Sequence, residues 1–162
     1  MEKHPEFADT TDVFLQLGPN DASNVKLADY IANLTNMAKQ ALAYNPNIRV
    51  YVALMAPPVR CGYAWGTRNF SDVEGMKSTF YAYVKAILDD EVLPTICHIV
   101  PLYLNLDCTY DFPMTMVPRS ARNPEMMRVC NDNVHPSKYG FYKFADVFYN
   151  AVVAESCDNK VK

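Results

Sequence analysis

Three short apolar runs limit what this chain can fold into more than any other feature: DVFLQL (residues 12–17), IRVYVALM (48–55) and TICHIV (95–100). A strand covered on one face alternates apolar with polar residues, whereas a strand covered on both faces reads as a nearly continuous apolar run. Helical periodicity separates the runs. Leu27, Ile31, Leu34, Ala38 and Leu42 recur at spacings of three or four, and Asn45-Pro46 closes that stretch. After the second run, Ser71 or Asp72 is suited to cap a helix whose face includes Val73, Met76, Phe80, Val84 and Ile87, and Pro94 ends the region. Residues 103–131, with Pro113, Pro118 and Pro124, read as irregular. Phe141, Ala145, Phe148 and Val152 mark a last helix with Pro136 suited to its first turn, and the interleaved Tyr139, Tyr142 and Tyr149 read as packing residues. The order β-α-β-α-β-loop-α argues for an α/β fold with a parallel sheet and helices on its faces.

Composition removes several function classes. The chain has 162 residues, half of them hydrophobic and a fifth charged, which suits one globular domain over 1–162. Net charge is −3, and Lys and Arg form no cluster, so nucleic acid is not expected as a partner. No apolar stretch approaches the roughly 18 residues of a membrane span, and the opening MEKHPEFADTTD has no apolar core of a signal peptide. The five cysteines include no CxxC pair and match no zinc spacing. Cys97 reads as a small buried hydrophobe. Cys108 and Cys130 flank the irregular segment and are candidates for a disulfide, with a free-thiol reading standing beside it.

Two stretches carry candidate chemistry. GPND (18–21) follows the first apolar run, and ligands of open α/β sheets bind beyond the carboxyl ends of the strands. Gly18 permits close backbone approach, and the Asn20 amide offers donors to a developing oxyanion. The same four residues also make a good turn. NDNVHPSKYG (131–140) sets Asp132 three residues before His135, at the mouth of the last helix. A carboxylate bonded to Nδ1–H fixes the imidazole tautomer and leaves Nε2 free as a base. The alternative is that Asn131 or Asp132 simply forms a turn and His135 is an exposed cap residue.

Taken in order, LGPND after a strand and DNVHPSKYG before a C-terminal helix resemble the SGNH (GDSL) hydrolase family across residues 12–155. That resemblance implies a flavodoxin-like three-layer sandwich with a parallel sheet. It also implies a serine esterase in which Asn20 and Gly18 belong to the oxyanion hole, and Asp132 and His135 are the acid and base of a Ser-His-Asp triad. It implies no metal and no organic cofactor. The substrate would be a small ester or an acetylated carbohydrate, and an extracytoplasmic setting is weakly favoured.

The family's nucleophile block, Gly-Asp-Ser, is absent from this sequence. Too few residues precede Gly18 for a full βα unit, so the first strands and the nucleophile are expected outside this chain, which is read as the C-terminal portion of a serine acylhydrolase. A degenerate member retained as a carbohydrate-binding or structural module is the alternative, and substitution by Ser23 a weaker one. Strand 12–17 would then present an open edge, suited to homodimer formation or pairing with an upstream fragment. Tyr63 and Trp65 after the second strand, and Tyr110 after the third, are expected on the substrate rim or as anchors of long loops.

Overall fold

The computed structural model describes residues 9–18, 25–54, 70–107, 110–130, 132 and 134–158, with residues 70–78 described by backbone alone. The chain is α/β and divides into two compact units. The first comprises Met1–Met55 with Thr79–Pro101, the second Ala56–Ser78 with Leu102–Lys162.

In the first unit the strands β1 (Asp12–Leu15), β2 (Arg49–Ala53) and β3 (His98–Val100) form a parallel sheet in the order β1-β2-β3. Val13 pairs with Val50 and Val52 with Ile99. Val50, Tyr51, Val52 and Ala53 are all buried, the burial on both faces that the unbroken apolar run implied. At the start of the β1–β2 ladder, Asp12 is the register partner of Arg49 and takes its guanidinium in a forked pair at 2.7 and 2.9 Å. Burial works to raise the Asp12 carboxyl, but the hydrogen bonds from Arg49 and Thr11 outweigh it and hold it below its ordinary value.

Helix α1 (Leu27–Tyr44) packs on β2 and buries Tyr30, Leu34 and Ala38. It ends where expected: Asn45 donates its N–H to Ala41, and its side chain accepts from Asn47. Helix α2 (Phe70–Asp89) starts earlier than a cap at Ser71 or Asp72 would allow, takes in both residues, and buries Phe80, Tyr83 and Ile87. The third strand is shorter than TICHIV suggested. Leu93–Ile96 forms a short helix, α3, with Pro94 in its first turn, so Pro94 begins a helical turn and does not terminate one. The physical reason is local capping: Asp90 Oδ1 accepts from the N–H groups of Val92 and Leu93 at 2.9 and 2.7 Å, and the Thr95 hydroxyl donates to the Val92 carbonyl. Cys97 is buried, and burial pushes its thiol up to about 11, consistent with a packing role.

The second unit corrects the reading of residues 103–131 as irregular. A 3-10 turn (Leu102–Asn105) is followed by an antiparallel hairpin, β4 (Met114–Ser120) and β5 (Asn123–Cys130). Prolines argue against strands because they remove a ladder donor. Here Pro118 stands at the register shift between Pro118 and Ser120, and Pro124 lies just past the turn, where regular pairing is interrupted in any case. The Ser120 hydroxyl closes the turn by accepting from the N–H groups of Arg122 and Asn123. Phe112 and Cys130 pack together beneath Leu106 and Met114.

Helix α4 (Lys138–Asp158) packs on the 3-10 turn. Its buried positions are Gly140 and Phe144, while Phe141, Tyr139, Tyr142 and Tyr149 are exposed; the face lies one residue away from the one expected, and the tyrosines are not packing residues. Asp111 sets this rotation. Its carbonyl accepts from Ser137 N–H at 2.6 Å, and its buried carboxylate accepts from Lys143 Nζ and from the Asp107 N–H, both at 2.6 Å. Ser137 in turn accepts from Phe141 N–H and begins the helix in place of Pro136. Gly140 is drawn so close that a Cβ there would meet the Asp111 carbonyl oxygen and Pro136 Cβ, each at 2.6 Å. Gly140→Ala is therefore expected to destabilise the protein by about 1–3 kcal/mol. Urea unfolding checks this, and a variant as stable as wild type would mean that the Asp111 loop yields without cost.

Candidate active site

Asp132 leaves β5 two residues after Cys130 and stands ahead of α4. Its two carboxylate oxygens do different things. Oδ1 accepts from the N–H groups of Val134 and His135, at 3.0 and 2.9 Å, and so builds the turn. Oδ2 lies 2.9 Å from His135 Nδ1. The neutral ring then donates from Nδ1 and keeps Nε2 as an acceptor. The His135 side chain is 59% exposed, against 29% for Asp132, so the carboxylate is sheltered while the imidazole is open to solvent. Burial works to raise the Asp132 carboxyl, but the two backbone N–H groups and the imidazole outweigh it and hold the group below its ordinary value.

The turn is pinned on both sides. Upstream, Cys130 is disulfide-bonded, and its Sγ lies 3.0 Å from the Asp132 carbonyl oxygen. The expected partner, Cys108, lies outside the described residues. Downstream, Pro136 is buried and Ser137 is bonded to Asp111. Sequence reasoning missed the Asp111–Lys143 anchor. Its one local signal was an acid set between Tyr110 and Phe112, a polar residue in an aromatic stretch.

Gly18 belongs to the first unit, is buried, and has φ 122°, a conformation that favours glycine and ends the approach from β1. Asn20, Ser23, Tyr63 and Trp65 lie outside the described residues. Tyr110 is exposed, with the Arg128 guanidinium 5.5 Å from its ring centre, a surface cation–π contact. A hollow of about 460 Å³ in the first unit is lined by Leu17, Val25, Tyr30, Leu34 and Met37 together with the amides Asn33 and Asn36, a volume within the range of small-molecule sites. Among the described residues no group of His, Cys, Asp and Glu is arranged to hold a metal ion, and no helix is long and apolar enough to cross a membrane. Compared with known proteins, the chain matches no family model and no curated sequence.

Because the folded carboxyl of Asp132 is depressed, its stabilisation is present in full above the unfolded carboxylate value and is lost as pH falls through the folded one. Carbon-detected NMR titration of Asp132 should give a midpoint below 3.8. Asp132→Ala, which removes the acceptor for both N–H groups, should cost about 1 kcal/mol, and Asp132→Asn distinctly less. Equal losses in the two variants would mean that the charge matters more than the turn.

Proposed function

We propose that this chain supplies the acid–base pair and the oxyanion donor of a serine ester hydrolase of the SGNH type, with the nucleophilic serine contributed from outside these residues. The observation that carries this reading is the sheltered Asp132 carboxylate on Nδ1 of a solvent-open His135. His135 Nε2 takes the serine proton as the hydroxyl attacks the ester carbonyl, then returns it to the leaving alcohol. Asp132 holds the tautomer and stabilises the imidazolium, and Asn20 with Gly18 donates to the tetrahedral oxyanion. The parallel order β1-β2-β3 supports a flavodoxin-like three-layer sandwich in which these are the third to fifth strands. β1 is an edge of that three-stranded sheet, so a further strand or a second copy would pair at strand 12–17.

The rival is a non-catalytic carbohydrate-binding or structural module. It draws support from Asp132 Oδ1, whose two backbone bonds give the acid a structural reason to be there.

Hydrolysis of p-nitrophenyl acetate separates the two. The chain alone should be no faster than free imidazole at matched concentration. With a strand–Gly-Asp-Ser segment supplied ahead of it, a burst and phosphonate labelling of that serine are expected, and His135→Ala should lower kcat by at least about 10³-fold. Labelling of Ser23 in the chain alone would overturn the external nucleophile. Absence of both activity and labelling in the assembled protein would leave the module.

A further inference from the structure

Periodicity marks Tyr139, Tyr142 and Tyr149 as packing residues of α4, yet the structure leaves them 68, 54 and 69% exposed. They share one stripe. Tyr139, Tyr142, Asp146, Tyr149 and Val153 follow one another at alternating spacings of three and four, and every one of them is exposed. The stripe lies opposite the helix face that buries Gly140 and Phe144, and beyond Phe144 no described side chain of α4 is buried. Strict alternation of three and four averages 3.5 residues, the repeat that keeps a stripe facing a second helix along its whole length. The rings are already ordered on the surface. Tyr139 meets Tyr142 edge to face with centroids 6.3 Å apart, and Lys138 Nζ lies 5.5 Å from the Tyr142 ring centre. Part of the freedom that docking would cost is therefore lost beforehand.

We propose that this stripe is an interface between two copies of the chain, paired antiparallel through α4. Turned antiparallel about the point between Val147 and Phe148, the stripe meets itself layer by layer. Tyr142 packs against Val153 of the second copy, and the Asp146 carboxylate accepts from the Tyr149 hydroxyl of the second copy; two-fold symmetry makes each layer twice. One polar layer of this kind fixes the register. A parallel pair would set Asp146 against Asp146 and align the two helix dipoles. Lys138 favours the same direction. It stands in the first turn, at the positive end of its own helix, which has no acid in that turn and no basic residue in its last turn. Antiparallel pairing brings Lys138 to the last turn of the second copy, where a cation is stabilising. At about 150–250 Å² per aromatic side chain, the exposed parts of the three tyrosines offer roughly 300–500 Å² per copy, the size of a weak, reversible dimer. The interface is independent of the hydrolase reading and distinct from pairing at the edge of β1.

Sedimentation velocity of the full chain, diluted from about 1 mM to about 1 µM, reads the association. A monomer–dimer equilibrium is expected. Tyr142→Lys and Tyr149→Lys, which alter exposed side chains, should each weaken it at least about tenfold with the far-UV circular dichroism unchanged. Phe14→Lys, which sets a charge on the open edge of β1, should leave it intact. A chain that stays monomeric throughout overturns the interface, and so does a dimer that survives both tyrosine variants. Direction is read on the wild-type chain with a short amine-to-thiol cross-linker and mass spectrometry of the joined peptides. Lys138 and the free, exposed Cys157 stand near opposite ends of α4, about 28 Å apart along its axis, too far to be joined within one chain. A Lys138–Cys157 link is therefore expected only between antiparallel copies. Its absence from a sample that sediments as a dimer, or a Cys157–Cys157 disulfide in its place, overturns the antiparallel pairing.

Discussion

Backbone N–H and C=O groups buried where a chain leaves a strand or enters a helix must find partners, because an unpaired one costs as much as a lost hydrogen bond. In this protein, side-chain oxygens supply many of those partners. Asp90 holds the turn into α3, Ser120 closes the β4–β5 hairpin, and Asp132 builds the turn ahead of α4. Tyr30 and Tyr83 take up carbonyls on either side of residues 18–24. Asp111 does the most, bonding through its carbonyl and its carboxylate to three different residues while almost wholly buried. The regular elements would form from their own periodicity, but their mutual rotation within each unit depends on these side chains.

The candidate dyad shows how this constraint and chemistry share a residue. One oxygen of Asp132 is occupied by the turn, which fixes the carboxylate in space, and the other is thereby aimed at His135. The backbone bonds that fix it also favour its charged form. A carboxylate that stays ionised and stationary is what an imidazole base requires of its partner. The structural and catalytic readings of Asp132 therefore do not compete for the same atoms.

Some of this was legible because it is local. The three-residue spacing of Asp132 and His135 lies within one turn, which puts the two side chains within reach of each other, and the structure shows them in contact. Asn45-Pro46 ends α1 through bonds to neighbours in sequence. Other features were not legible because local signals pointed the wrong way. Pro118 and Pro124 suppressed the hairpin, although they sit beside a register break where their missing donors matter least. Thr95 and Ile96 look like strand residues, yet the Asp90 cap draws them into a helical turn.

What the sequence by itself determined is the alternation of covered strands and helices, the parallel α/β class, and the pairing of one acid with one histidine, all of them set by periodicity and short spacing. The tertiary structure alone decided which face of α4 is buried. Periodicity placed Phe141 on that face and read Tyr139, Tyr142 and Tyr149 as packing residues, but a helix turns to satisfy what it meets. Here it meets the Asp111 carbonyl and carboxylate, which require Gly140 and Lys143 against them and leave the tyrosines in solvent. That choice rests on bonds between residues about thirty positions apart, and no local pattern encodes it.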